Sequence, residues 1–161
     1  MRFCRAKWKK KREFLFLFQG LFTNEREKII KEWVEMHAVT NEICQAIDFK
    51  IIKLLNNIII NISKQTDGGI SKSYSIKINN QTKLKIGLST KGRYLPEKSW
   101  DDDYFNQMAN SKFVLCPNGD FVWTYRFFEA IMCGAIPIVE DDANIYQGFK
   151  YFKMSDSIEN Y

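Results

Sequence analysis

The stretch SKFVLCPNGDFVWTYRFFEAIMCGAIPIVEDD, residues 111–142, decides the fold. It holds two short apolar runs, KFVLCP and AIPIVE, and between them an apolar segment of helical length, TYRFFEAIMC. Pro117 ends the first run, and Gly134 follows the middle segment, where a left-handed glycine commonly ends a helix. Short apolar runs bounded by turn residues are typical of strands buried on both faces of a parallel sheet. The stretch therefore predicts a strand, a helix and a second strand.

The same alternation occurs earlier in the chain. FLFLF, residues 14–18, predicts a buried strand, and the next segment predicts a helix with Asn24 as N-cap and Glu27 completing a capping box. KLKIGLST, residues 83–90, predicts a short strand, and residues 96–111 predict a helix with acids in its first turn. Strands that alternate with helices predict an α/β fold with a mostly parallel sheet flanked by helices.

Three segments are less clear. Residues 41–64 are rich in isoleucine and fit either a strand or a helix. Residues 65–82 are polar, contain Gly68 and Gly69, and fit an irregular excursion or a weak hairpin. After residue 142, the sequence predicts a short helix or turn followed by a tail.

The excess positive charge lies at the N-terminus. The 161 residues include 24 basic and 19 acidic side chains, and seven of the basic ones lie in residues 1–12, which hold no acid. The rest of the chain has 17 basic and 19 acidic residues, which argues against nucleic-acid binding. We expect residues 1–12 to form a solvated basic arm, with contact to a polyanion or acidic lipid as the alternative. Residues 13–161 suit a single domain.

Several function classes find no support in the sequence. No apolar run reaches the roughly 18 residues that predict a transmembrane segment. KKKREFLFLFQG imitates a signal peptide, but its apolar part is too short, so a cytoplasmic location is expected. Four cysteines without a CxxC pair, together with His37 as the single histidine, do not favour a zinc site, a disulfide framework or Ser-His-Asp catalysis.

Residues 87–94 have the glycine spacing of a phosphate-binding P-loop. Arg93 and Tyr94, however, stand where the P-loop needs a lysine and a Mg²⁺-binding hydroxyl. An ordinary turn is favoured, with a basic loop of Lys91 and Arg93 beside an anionic ligand as the alternative.

The acidic run at residues 101–103 contains a DxD pattern, which holds a divalent metal in one large class of glycosyltransferases. Clustered carboxylates do suit hard cations. This run, however, falls in the first turn of a predicted amphipathic helix, where acids cap the helix and interact with its dipole. Capping is therefore favoured over a metal site.

Arg126 and Glu129 are charged residues within an apolar helix. A parallel sheet binds ligands outside the carboxyl ends of its strands, and the loop PNGDFVWT leads from such an end into this helix. Arg126 could bind two phosphate oxygens, and Glu129, as an acceptor, suits ribose hydroxyls. The alternative is an i,i+3 ion pair on a solvated face. The neighbours Phe127, Phe128 and Ile131 leave no broad solvated face, so a ligand role is favoured.

These motifs resemble a known family. Residues 111–119, then 126–131, then 133–139, resemble the C-terminal signature of exostosin-like glycosyltransferases, roughly SxFxLxPxG, RxxEA and GxIPVI. KREFLFLFQG followed by EREKIIKEW is similar to that family's strand, Phe-x-Gly and helix. The resemblance is dense over residues 85–153 and thinner over residues 12–36.

The resemblance implies the C-terminal, Rossmann-like half of a GT-B enzyme. Such a half binds a UDP- or GDP-sugar, without a required metal or other cofactor, for transfer to a hydroxyl of a glycan or another acceptor. By this resemblance Glu129 contacts the ribose, Arg126 contacts the diphosphate, and Asn118 and Gly119 lie over it. Lys91 and Arg93 are looser candidates beside the same ligand.

The length differs from that of the family. A GT-B enzyme needs about twice 161 residues, so the resemblance implies that the acceptor site and the catalytic base belong to a separate N-terminal domain. We also expect the domain to be truncated at its C-terminal end, and no catalytic residue is assigned. Two functions therefore remain open. One is a donor-binding domain of a glycosyltransferase, and the other is a non-catalytic fragment or interaction module that keeps the fold, with or without nucleotide binding.

Overall fold

A computed structural model describes residues 11–36, 48–66, 70–78, 81–90 and 101–156. The helices in these ranges are α1 (Asn24–Met36), α2 (Phe49–Thr66), α3 (Asp102–Ala109) and α4 (Tyr125–Met132). The strands are β1 (Phe14–Gly20), β2 (Ser71–Ile78), β3 (Gln81–Ser89), β4 (Ser111–Cys116), β5 (Ile136–Val139) and β6 (Phe152–Lys153), with a 3-10 turn at Asn144–Tyr146. The predictions for residues 1–10, His37, Lys91 and Arg93 lie outside the described residues.

The six strands form one sheet in the order β2-β3-β1-β4-β5-β6. β2 runs antiparallel to β3, and every other neighbouring pair is parallel. The predicted α/β class with a mostly parallel sheet is confirmed. From β1 the chain first builds one side of the sheet and then crosses to β4 on the other side. This reversal makes the junction of β1 and β4 the switch point, where such sheets leave a ligand crevice.

Helices cover both faces of the sheet because the side chains of each strand point alternately to the two faces. Phe16 and Phe18 of β1 face α1 and α2, whereas Leu17 faces α3 and α4. One apolar cluster contains Phe16, Phe18, Ile30, Trp33, Ile52 and Ile59, and the other contains Leu17, Met108, Val114, Phe127, Ala130 and Tyr146. The apolar runs in the sequence are therefore the buried strands of a three-layer fold.

The helix ends agree with the sequence at two positions and differ at one. Asp101 caps α3 through its carboxylate, which accepts from the backbone N–H groups of Asp103 and Tyr104. Gly134 follows α4 with φ +72°, the left-handed conformation predicted for it. The prediction of Asn24 as the cap of α1 is wrong. The hydroxyl of Thr23, one residue earlier, accepts from the N–H of Arg26.

The unclear segments adopt regular structure. The isoleucine-rich segment is the helix α2, and β2 with β3 forms the hairpin. Gly87 lies inside β3, opposite Gln19 of β1, as the strand predicted for residues 83–90 requires, so the turn predicted for residues 87–94 does not begin there, and residues 91–94 lie outside the described residues. The tail after residue 142 contains β6, which the sequence did not predict because it is only two residues long. Pro137 is the second residue of β5, close to the start of the strand, where proline is tolerated.

Arg12 holds the amino end of the sheet together. Its guanidinium contacts four backbone carbonyls, those of Ala109, Ser111, Cys133 and Gly134. The last two follow α4, where exposed carbonyls and the helix dipole attract a cation. Partial burial lowers the pKa of Arg12 from its ordinary value. Arg12, the last residue of the predicted basic arm, is therefore part of the folded body.

Candidate functional site

The site lies where the carboxyl ends of β1 and β4 meet at the switch point. Residues 21–23 follow β1 and lead into α1, and residues 117–124 follow β4 and lead into α4. The first turns of both helices therefore face the same end of the sheet. Helix N-termini carry unpaired N–H groups and the positive end of the helix dipole, which favours anions.

Arg126, in the first turn of α4, reaches across this junction to β1. Thr124 caps the helix by accepting from the N–H of Arg126 at 3.4 Å. The guanidinium Nε donates to the carbonyl of Gln19 at 2.8 Å, and its carbon lies 5.1 Å from the centre of the Phe18 ring. These contacts fix the orientation of the side chain, which is only 8% exposed.

The same guanidinium has an unfilled donor. Nη1 of Arg126 is buried and has no hydrogen-bond partner among the described residues. A buried, charged donor without an acceptor is costly and normally marks a missing partner. Nη2 lies close against Gly20, since a Cβ on this glycine would stand 2.4 Å from Nη2. Gly20, with φ +148°, therefore gives the guanidinium room at the end of β1.

Glu129 follows Arg126 on the next turn of α4. Its Oε2 accepts from the hydroxyl of Tyr104 at 2.6 Å. Burial raises the pKa of Tyr104 well above its ordinary value, and Glu129 raises it further, so the phenol stays a donor. Within the described chain Arg126 and Glu129 form no ion pair with each other, and Arg126 is buried. The alternative of a solvated i,i+3 pair is therefore wrong.

Asn118 and Gly119 form the turn that follows β4. The N–H of Asn118 donates to Glu140 at 3.1 Å, and its side-chain amide donates to Asp141 at 2.9 Å. These two bonds tie the loop to the segment after β5. Asn118 Oδ1 is buried without a partner among the described residues, whereas Gly119 is exposed.

The loop that joins this turn to α4 carries exposed aromatic side chains. Phe121 and Tyr125 are each 71% exposed. Trp123 lies between them, with its ring centre 6.4 Å from that of Phe121 and 5.0 Å from that of Tyr125. The crevice thus has charged groups at its base and a continuous aromatic surface on its neighbouring loop.

Nucleophile and metal chemistry find little support in the described residues. Burial raises the pKa of the Cys116 thiol at the end of β4 to about 12, so it is not a reactive thiolate near neutral pH. No group of three or more His, Cys, Asp or Glu side chains that could hold a metal occurs in the described ranges. In those ranges, no helix is long and apolar enough to cross a membrane.

The structure brings four predicted site residues, Arg126, Glu129, Asn118 and Gly119, to the β4–α4 junction. Further residues contact them and were not predicted as site residues: Gln19, Gly20, Arg26, Tyr104, Glu140 and Asp141. Of these, only Gly20 had a signal in the sequence, because it directly follows the buried strand in FQG.

Residues 1–146 match the Exostosin GT47 domain family. The chain belongs to this family. A 69-residue segment is 36% identical to a probable glucuronosyltransferase of Oryza sativa subsp. japonica and covers 43% of this chain. The same segment spans 16% of that relative's length. No solved structure matches the chain. Membership of the GT47 family confirms the resemblance seen in the motifs.

Proposed function

We propose that this GT47 chain binds the nucleoside diphosphate sugar donor of a glycosyltransferase of GT-B type. The observation that supports this most strongly is the guanidinium of Arg126. It is buried and fixed at the switch point of a parallel sheet, yet none of the described residues supplies an acceptor for Nη1. A phosphate oxygen supplies the acceptor and the negative charge that this position needs.

The remaining contacts follow from that position. The diphosphate lies against Arg126 and the first turn of α4, with Asn118 and Gly119 over it. Glu129 accepts from the ribose hydroxyls, while Tyr104 holds the other carboxylate oxygen. Lys91 and Arg93 belong to the same proposal as further cations near the ligand.

The proposed reaction is attack of an acceptor hydroxyl on the anomeric carbon of the donor sugar. The bond from that carbon to the diphosphate oxygen breaks, and Arg126 stabilises the negative charge that develops on the leaving diphosphate. The acceptor is a glycan or another hydroxyl compound, and the catalytic base lies in a separate N-terminal domain. We propose that no metal is required, since Arg126 supplies the compensating charge, and that the reaction takes place in the cytoplasm.

Calorimetric titration of UDP and of GDP into the chain, in a buffer with EDTA, tests this function. We expect one of the two to bind at a single site, with a Kd in the range of about 1 μM to 1 mM that is usual for enzyme substrates. If neither nucleotide binds at millimolar concentration, the donor-binding function is wrong. Binding only after a divalent metal is added would contradict the metal-independent form of the proposal.

The ribose contact has its own test, the variant Glu129→Gln. We expect it to weaken binding of the ribonucleotide about tenfold and binding of the 2′-deoxy diphosphate by clearly less, since the deoxynucleotide keeps only the 3′-hydroxyl contact. Glu32→Gln, which changes an exposed carboxylate on α1, is the matched control. Equal losses for the ribonucleotide and the deoxynucleotide would assign Glu129 to another role.

A further inference from the structure

Arg26, in the first turn of α1, reaches toward the loop after β4. Its Nη1 donates to the carbonyl of Leu21 at 2.8 Å, which fixes the guanidinium beside the β1–α1 loop. Its Nη2 lies 3.5 Å from the position that a Cβ of Gly119 would occupy. The side chain therefore spans from one loop of the switch point to the other.

Arg126 makes the reverse crossing. It starts in α4, donates to Gln19 at the end of β1, and lies against Gly20. Each arginine thus contacts a glycine of the opposite strand–helix junction.

Two other basic residues of α1 lie on its exposed face. Lys28 pairs with Glu32, and Lys31 pairs with Glu35, both as i,i+4 pairs of exposed side chains. Arg26 lies on the part of the helix that faces the crevice, is half-buried, and is oriented by a backbone carbonyl. An arginine held in this way is ordered before a ligand arrives, so less conformational entropy is lost on binding.

We propose that Arg26 and Arg126 form a two-arginine clamp for a diphosphate, with one guanidinium on each phosphate group. A diphosphate carries charge on both phosphates, and planar guanidinium groups bind phosphate oxygens two at a time. The absence of a side chain at Gly20 leaves room for the guanidinium of Arg126, and its absence at Gly119 leaves room beside that of Arg26. The clamp uses the crevice of the proposed function, but it requires only the diphosphate and neither the base nor the sugar.

Titration of inorganic pyrophosphate into the full chain tests the clamp without any nucleotide. We expect pyrophosphate to bind the wild type at one site and to bind Arg26→Gln about tenfold more weakly. Lys28→Gln, a change of the same net charge on the same helix, should stay within about twofold of the wild type. Arg26→Lys, which keeps the charge but loses the two-pronged geometry, should fall between them. Melting curves confirm that each variant is folded.

Two outcomes overturn the clamp. One is no binding of pyrophosphate to the wild type, and the other is an equal loss of pyrophosphate affinity in Arg26→Gln and Lys28→Gln.

Titration of nucleotides separates this inference from the proposed function. We expect Arg26→Gln to weaken UDP or GDP binding but to leave the corresponding monophosphate within about twofold. If pyrophosphate binds in the expected way and neither nucleotide does, the clamp stands and the donor function fails. If the nucleotide binds and Arg26→Gln has no effect, the donor function stands and the clamp fails.

Discussion

Two arginines hold the two ends of the same pair of strands, and they differ in how fully they are bonded. At the amino end, Arg12 contacts four backbone carbonyls. At the carboxyl end, Arg126 donates to the single carbonyl of Gln19 and keeps a buried Nη1 without a partner in the described chain. Arg12 is less buried than Arg126, and yet its guanidinium has more hydrogen-bond partners in the described chain.

We interpret this difference as that between a structural residue, Arg12, and a residue proposed to bind a ligand, Arg126. A structural arginine donates its hydrogen bonds to acceptors within the protein, as Arg12 does. A ligand-binding arginine must leave some donors available for the ligand, and a buried donor without an acceptor lowers the free energy of unfolding. The two arginines therefore make opposite predictions for stability and for binding.

The largest expected effect on stability comes from the matched substitutions Arg12→Met and Arg126→Met. Loss of the carbonyl contacts of Arg12 should lower the free energy of unfolding by roughly 2–3 kcal/mol. Replacing the under-bonded cation at Arg126 with an apolar chain of similar length should change it by less than about 1 kcal/mol. Urea denaturation measures both. A larger loss at Arg126 than at Arg12 would remove the contrast.

Gly20→Ala tests the close approach of Arg126 to β1. A methyl group at this position would displace the guanidinium, so we expect nucleotide affinity to fall about tenfold. Gly148→Ala is the matched control, since Gly148 also has positive φ but nothing within 4 Å of its Cβ position. Both variants carry a strain of roughly 1 kcal/mol, and only Gly20→Ala should affect binding. Equal affinities by calorimetry would contradict the geometry.

Tyr104→Phe tests how Glu129 is held. Without the phenol, the carboxylate loses a hydrogen bond and its fixed orientation, so we expect stability to fall by about 1 kcal/mol and nucleotide affinity by roughly threefold to fivefold. Phe105→Leu, a change in the apolar packing beside it, is the control for stability loss alone. If Tyr104→Phe binds nucleotide as tightly as the wild type, the orientation of Glu129 does not depend on this bond.

The smallest effect is a dependence of stability on alkaline pH. The pKa values of Tyr104 and Cys116 are raised in the folded chain, so both groups lose protons more readily when it unfolds. Their contribution to stability is complete below about pH 8 and declines as the pH rises past their ordinary values. Between pH 8 and 9.5 we expect a loss of about 1 kcal/mol in urea denaturation. Cys116→Ala should reduce this loss, and an unchanged slope would contradict the assignment.

The sequence predicted the strands and helices well because apolar runs and their turn residues are local signals. It also indicated Arg126 and Glu129 as candidate ligand-binding residues, since two charges within an apolar helix need an explanation, and this role stays a prediction. Local signals cannot choose between two adjacent residues that are both good helix N-caps, as Thr23 and Asn24 are. They fail for α2 because isoleucine runs fit a helix or a strand.

Part of the site could not be predicted because it depends on the strand order. The bond from Arg126 to Gln19 joins residues 107 positions apart, and the contact between Arg26 and Gly119 likewise crosses from α1 to the loop after β4. Only the placement of β4 beside β1 brings these residues together. Tyr104 fits the apolar face of its helix in the sequence, which gives no signal that its hydroxyl donates to Glu129.

The central claim is that Arg126, and not Arg12, keeps its donors for a ligand. The most direct measurement is calorimetric titration of UDP and GDP, with EDTA present, into the wild type, Arg12→Met and Arg126→Met, at a temperature where all three are folded. We predict that Arg12→Met binds within about threefold of the wild type and that Arg126→Met binds about 100-fold more weakly, the equivalent of roughly 2.7 kcal/mol. Wild-type affinity in Arg126→Met, or an equal loss in Arg12→Met, would contradict the claim.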